Sequence, residues 1–292
     1  MNAPTLSSPS SAGKASASKH RLETGPFDGS CRLRDSSVLA RHSAGCGAEE
    51  NSPSASPVKL TCFPVGGLTP FTTVDFPGRL AAVLYTQGCA WRCRYCHNAH
   101  LWPFEPAASA VPWEKVLDFL DTRKGFLDGV VFCGGEPTAH AGLGRAMGAV
   151  KAMGFEVALH TTGMYPERLE AVIPLCDWVG MDVKSPFDRY EAITGVARSG
   201  ENPQKSARLI LQSGVAYEFR TTAHPDLLSE SDLLEIGAAL SRMGARHFAL
   251  QAFHAEGCVD DSLKRSARPG VPLSAETRSA LASLFSTFTI RH

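Results

Sequence analysis

Cys89-Ala-Trp-Arg-Cys93-Arg-Tyr-Cys96 carries three cysteines spaced by three and then two residues, directly after the strand-like run Leu80-Ala-Ala-Val-Leu-Tyr85. Thiolates are soft ligands that suit iron–sulfur clusters or zinc. Three of them on one tight loop can each hold one iron of a [4Fe–4S] cube. The fourth iron is then left without a protein ligand, and an open position is where a metal does chemistry instead of holding a fold together. A zinc-stabilised binding module would use Cys89, Cys93 and Cys96 with His97 or Cys133. Structural zinc sites normally draw on two separated ligand pairs in a tetrahedral array, so one loop of three cysteines suits them poorly. The next strand-like segment outward, Gly129-Val-Val-Phe-Cys133, runs into Gly134-Gly135-Glu136-Pro137.

Further strand-like runs follow at 155–160, 178–183, 216–222 and 247–253, in addition to 80–87 and 130–134. Helix-like segments separate them. Trp113, Val116, Leu117 and Leu120 share one helix face, as do Leu233, Ile236, Leu240 and Met243, and Ser229 with Asp232 makes a helix start. Strands alternating with helices predict an α/β fold with a parallel sheet and right-handed crossovers. Six such units fit an open (β/α)6 partial barrel better than a closed eight-unit one; a doubly wound sheet is the competitor. Gly142-Leu-Gly144-Arg-Ala-Met-Gly148 has the wrong spacing for a dinucleotide loop and follows no strand, so it reads as a turn into a helix. Cys89, Gly134-Gly-Glu136, His160-Thr-Thr-Gly163, Asp182-Val-Lys184, Arg220-Thr-Thr-Ala-His224 and Gln251-Ala-Phe-His254 all fall at or just past the C-terminal end of an expected strand. In barrel-like α/β folds chemistry assembles on that rim.

Composition bounds the partners. Among 292 residues, 29 basic and 29 acidic side chains balance, which gives no reason to expect nucleic acid or an anionic membrane. No apolar run reaches the roughly 18 residues of a membrane span. Nine cysteines in a chain of this length argue against a disulfide framework and for a reducing cytosol. Residues 1–57 are rich in Ser, Ala, Gly and Pro without sustained periodicity, and read as a disordered low-complexity tail ahead of a core domain at 58–292. The tail has neither the apolar run of a secretory signal nor the acid-poor, Arg-rich composition of a transit peptide. Cys31 and Cys46 within it read as incidental, and a start site set too far upstream is another explanation for the tail.

Together the cysteine loop and the Gly-Gly-Glu turn resemble the radical S-adenosylmethionine (radical SAM) superfamily. Thr72-Thr-Val-Asp-Phe-Pro-Gly78, Thr86-Gln-Gly-Cys89 and Cys93-Arg-Tyr-Cys96-His97-Asn98 are similar to the opening of glycyl-radical-enzyme activating proteins, above all those of anaerobic ribonucleoside-triphosphate reductase. The resemblance covers most of residues 60–255. It implies that Cys89, Cys93 and Cys96 ligate a [4Fe–4S] cluster and that Tyr95 lies beside the adenine of S-adenosylmethionine. It also implies that Gly134, Gly135 and Glu136 hold the methionyl ammonium, while Asp182 and Lys184 sit at the same pocket. The implied chemistry is reductive cleavage of the cofactor to a radical that abstracts hydrogen, which needs no side-chain acid, base or nucleophile. The implied partners are a glycyl radical enzyme and a low-potential donor such as flavodoxin or ferredoxin. Pyruvate formate-lyase or a small molecule is the alternative substrate. Two departures stand out. His160-Thr-Thr-Gly163 replaces the usual Asp-Thr-Asn-Gly, which removes any contact the Asp carboxylate makes there. Cys133 replaces a Ser or Thr, and reads as a small buried residue, not as a fourth cluster ligand.

Overall fold

The computed structural model describes residues 63–108 and 110–291. The reading of residues 1–57 as a disordered tail, with Cys31 and Cys46, and the expected start of the core at Val58 lie outside them. Eight strands form one sheet in sequence order: β1 (Val65–Thr72), β2 (Ala81–Thr86), β3 (Gly129–Gly134), β4 (Glu156–Thr161), β5 (Trp178–Asp182), β6 (Ala216–Ala223), β7 (His247–Ala252) and β8 (Thr287–Arg291). β1 pairs antiparallel with β2, and every later neighbour pair is parallel. The six expected strands are β2 to β7. The structure adds β1, folded from the extended lead-in, and β8; these two are the edges of an open partial barrel.

The crossovers are helical: α1 (Trp113–Asp121), α2 (Leu143–Ala152), α3 (Pro166–Val172), α4 (Glu191–Thr194), α5 (Glu201–Ser213), α6 (Glu230–Arg242), α7 (Asp261–Ser266) and α8 (Ala275–Leu284). α1 buries Trp113, Val116 and Leu120, each stabilising by about 1.5–3 kcal/mol relative to exposure. α6 starts at a capping box, where Ser229 Oγ accepts from Asp232 N (3.2 Å) and the Asp232 carboxylate accepts from Ser229 N (2.8 Å). Gly142 caps the N-terminus of α2, so the glycine-rich run there is a turn into a helix.

Strand side chains alternate between two layers. Leu84, Val130, Phe132, Val157 and Leu159 pack in the large core with the helices. Val83, Val131 and Ala158 face the other way and pack with Phe76 and Trp178, whose rings lie 6.3 Å apart. Cys133 packs against this second layer. Apolar side chains, from Ala158 to Trp178, thus fill the inner face near the strand starts. Towards the strand ends that face turns polar: His160 on β4, Asp182 on β5 and Arg220 on β6. Among the described residues no helix is long and apolar enough to cross a membrane.

Candidate active site

A cavity of about 140 Å³ opens beyond the ends of the strands. It is lined by Cys89, Cys93, Cys96, Tyr95, Gly134, Gly135, Asp182 and Lys184. Residues far apart in sequence meet there because β2, β3 and β5 end on the same side of the sheet.

The cysteine loop is a wall one residue thick. Cys89, Trp91, Cys93 and Tyr95 are buried, while Ala90, Arg92 and Arg94 between them are exposed. Main-chain bonds pin it to the end of α4: Arg92 N donates to Thr194 O (3.3 Å) and Arg94 N to Ile193 O (3.1 Å). The Arg92 guanidinium folds back onto Cys89 O (2.7 Å) and Trp91 O (3.0 Å), and Arg94 pairs with Asp260 (2.9 Å). Both arginines therefore brace the loop. Gln87 ties down its exit, donating from Nε2 to Pro103 O (2.7 Å).

Beneath the loop lies the Gly134-Gly135 turn. Gly134 has φ +107°, and a Cβ there would come 2.3 Å from Thr86 N; a Cβ on Gly135 would come 2.3 Å from Gly88 O. Only glycine lets the β3 turn lie against the backbone that leads into Cys89. The bond from Glu136 N to Gly88 O (2.9 Å) fixes that contact.

Glu136 is the one expected site residue that does not line the cavity. It is 0 % exposed. Oε1 accepts from Thr138 N (3.0 Å), Thr138 Oγ1 (2.6 Å) and Thr161 Oγ1 (2.7 Å), and Oε2 from Thr162 N (2.8 Å) and Thr162 Oγ1 (2.6 Å). Five protein donors more than fill its roughly four lone-pair sites. The carboxylate ties the end of β3 to the end of β4, and an ammonium at the cavity would meet the backbone of the glycine turn instead.

A charged chain crosses the inner face. Lys184 Nζ lies 5.2 Å from the centre of the Tyr95 ring and 3.5 Å from Asp182 Oδ2; Arg220 reaches Asp182 Oδ1 at 3.0 Å. Burial works against the charge on Asp182, but Arg220 and Lys184 outweigh it and hold the carboxyl below its ordinary value. Arg220 Nη1 also faces His160 Nδ1 (3.4 Å), while His160 Nε2 meets Asp75 O (2.7 Å). A guanidinium only donates, so Nδ1 accepts and Nε2 carries the proton to the carbonyl. Burial, then Arg220, push the His160 pKa down to about 3. His160 thus stands as a neutral strut between β4 and the β1–β2 turn. Cys133 does not line the cavity; burial drives its thiol up to about 12. His224, placed on the rim by sequence, spends both ring nitrogens on the fold: Nε2 meets Leu263 O (3.1 Å) and Nδ1 accepts from Asp226 N (3.1 Å).

A second, larger cavity of about 590 Å³ runs along the open edge of the sheet. Val74, Asp75 and Pro77 line it from the β1–β2 turn, and Gln251, His254 and Arg291 from the β7 and β8 side. It shares His97 and Thr222 with the cysteine cavity. Trp91, Thr162 and Thr222, from segments already singled out in the sequence, also line the first cavity, as does Trp102, which no motif marked.

The thiols, the glycine turn and the buried cation suit a [4Fe–4S] cluster with S-adenosylmethionine. Each thiolate of such a cube holds a different iron, so the three need not meet at one point. Among the described residues no group of three or more His, Cys, Asp or Glu is placed to hold a single metal ion.

Comparison with known proteins agrees. The family model described as the radical SAM superfamily matches residues 83–236. A Methanocaldococcus jannaschii protein described as a glycyl-radical enzyme activating enzyme is 29% identical, over 70% of this chain and 86% of its own. The pyruvate formate-lyase-activating enzyme of Streptococcus mutans is 28% identical over 64% of this chain and 76% of its own. Among solved structures, TYW1 with a lysine-pyruvate adduct bound superposes with a TM-score of 0.52 at 16% identity, over 70% of this chain and 72% of that one. Streptococcus suis SuiB bound to precursor peptide SuiA gives 0.50 at 16% identity, over 71% and 48%. These two likenesses speak for the fold alone. The matched segment spans more than half of the sequence and contains both the cysteine loop and the glycine turn: the chain belongs to the radical SAM superfamily, whose enzymes use a [4Fe–4S] cluster and S-adenosylmethionine.

Proposed function

We propose that this protein is a glycyl-radical-enzyme activase whose partner is anaerobic ribonucleoside-triphosphate reductase. The observation that carries the reading is the junction of the two cavities. The cysteine cavity is small, and it continues into a groove of about 590 Å³ along the open edge of the sheet, a form suited to an extended segment of another protein. Homology to the two activating enzymes above supports the same class. The Asp75-Phe-Pro-Gly78 lead-in and the Cys96-His-Asn98 ending favour the reductase as partner.

In this reading Cys89, Cys93 and Cys96 ligate the cluster. Tyr95 lies beside the adenine, and the backbone of Gly134 and Gly135, with Asp182 and Lys184, makes the pocket for the methionyl end. When bound, the cluster supplies the electron that splits the sulfonium C–S bond of S-adenosylmethionine, and with it the power to abstract a hydrogen atom. The protein's share is positioning and exclusion of water. Trp91 and Tyr95 cover the cavity with apolar surface, and Lys184 offers a buried cation to a carboxylate. Residues 58–292 form the catalytic core, acting in the cytosol with flavodoxin or ferredoxin as electron donor.

The test is anaerobic. Reconstituted, reduced protein mixed with S-adenosylmethionine and the reductase should give a glycyl doublet in the electron-paramagnetic-resonance spectrum, together with 5′-deoxyadenosine. The doublet should vanish when the target glycine becomes alanine, and Cys93→Ser should abolish both cluster and cleavage. The Streptococcus mutans relative favours pyruvate formate-lyase as the second candidate; a doublet there and none on the reductase would reassign the partner. Stoichiometric consumption of cofactor on a small molecule, with no doublet on either enzyme, would overturn the activase reading.

A further inference from the structure

His97 and Thr222 are the residues common to both cavities. Tyr95, Gly134, Gly135, Asp182 and Lys184 line the inner cavity only. His97 is therefore at the doorway and not at the back of the pocket. Its ring is held firmly there. It lies 5.5 Å from the Phe253 ring and 6.1 Å from that of His254, and it hydrogen-bonds to the His254 main chain. Gly257 presses on its backbone so closely that a Cβ would come 2.2 Å from His97 O. One ring nitrogen is nonetheless unsatisfied: Nε2 is buried with no hydrogen-bond partner in the protein. Buried polar atoms are nearly always paired, and an orphan is destabilising. An orphan fixed by this much packing, between two cavities, asks for a partner that comes from outside the chain.

We propose that His97 is a positioning residue for the glycine-bearing segment, and that its Nε2 hydrogen-bonds the main chain of that segment where it passes from the groove into the cysteine cavity. The inference rests on the activase reading and deepens it. A target glycine has no side chain, so its Cα is oriented through the neighbouring amide N–H and C=O groups. With its other ring nitrogen donating to the His254 main chain, Nε2 is the accepting nitrogen, and the group it takes is a main-chain N–H. No bond is made or broken at His97; its task is to hold the Cα–H towards the bound cofactor.

The experiment uses the reconstituted holoenzyme and the variants His97→Ala and His97→Gln, the second keeping a donor and an acceptor. Four quantities are read. They are iron content, affinity for S-adenosylmethionine, binding of a fluorescent peptide spanning the target glycine of the reductase, and glycyl radicals formed per 5′-deoxyadenosine. For His97→Ala we expect iron content within about twofold of the wild type, since the three thiols remain, and a smaller loss of cofactor affinity than of peptide affinity. Peptide affinity and the coupling ratio should each fall about tenfold, the scale of one lost hydrogen bond. His97→Gln should recover part of both. A tenfold loss of cofactor affinity with coupling intact would place His97 in the cofactor pocket and overturn the proposal. Loss of the cluster in both variants would make it a structural residue, and unchanged peptide binding and coupling would remove it altogether. A wild-type protein that gives no doublet sinks the activase reading instead, a separate outcome.

Discussion

Glu136 carries a hydrogen-bond load that its motif does not announce. The Gly-Gly-Glu resemblance assigns its carboxylate to a ligand ammonium, yet five donors from Thr138, Thr161 and Thr162 already occupy it. Those donors sit on Thr138, Thr161 and Thr162, and nothing in spacing ties threonines at the end of β4 to a glutamate two residues past β3. Replacing Glu136 by Ala leaves three hydroxyls and two backbone amides facing a void. Breaking a buried charged network of this kind costs on the order of 3–5 kcal/mol. For a domain of this size that corresponds to a fall in melting temperature of about 10 °C. Calorimetry on the apo-protein should therefore show a large loss of stability in Glu136→Ala. A wild-type melting temperature with weakened cofactor binding would restore the ligand role. The cysteines and the Asp182/Lys184 pair come together in one cavity because each lies within a few residues of a strand end. His160 was legible only as an anomaly: that its two nitrogens bridge Asp75 O and Arg220 depends on three separate elements.

At the scale of elements, strands β2 to β7 were visible because buried parallel strands are short apolar runs bounded by turns. The edge strands carried weaker signals. β1 contains Gly66, Gly67 and Pro70 and is partly exposed, and β8 has only half-buried or exposed residues. The union of the cysteine loop with the glycine turn was not legible either, since it is a contact of backbone with backbone. It makes a sharp expectation. Gly135→Ala puts a methyl group against Gly88 O, one residue before Cys89, and no flexible side chain is available to yield. The turn or the loop has to move by an ångström or more. The variant should keep its far-ultraviolet circular dichroism, because β3 itself ends at Gly134, but should take up well under half of the wild-type iron on anaerobic reconstitution. Full iron content would mean that the loop adapts freely, and that its glycine partner serves some other purpose.

At the scale of the whole molecule, the sheet does not close: β1 and β8 remain its two edges. A closed barrel would admit small molecules from one end; here the groove collects residues from the β1–β2 turn on one side and from β7 and β8 on the other. If the substrate is a protein segment lying in that groove, a change on its wall should affect the protein substrate and spare the cofactor. Val74 offers the test, because it lines the groove and is 76 % exposed, so substitution there costs little stability. Phe126 is a matched control at 75 % exposure, between α1 and β3 and lining neither cavity. Val74→Arg adds bulk and charge where the segment must lie flat. It should raise the KM for the reductase by about tenfold or more, the effect of roughly 1.4 kcal/mol of lost binding. Basal S-adenosylmethionine cleavage with dithionite as reductant should stay at the wild-type rate, and Phe126→Arg should alter neither quantity. Equal KM values in Val74→Arg and wild type would mean that the substrate reaches the cavity by another route, and the open edge would then have no part in admitting it.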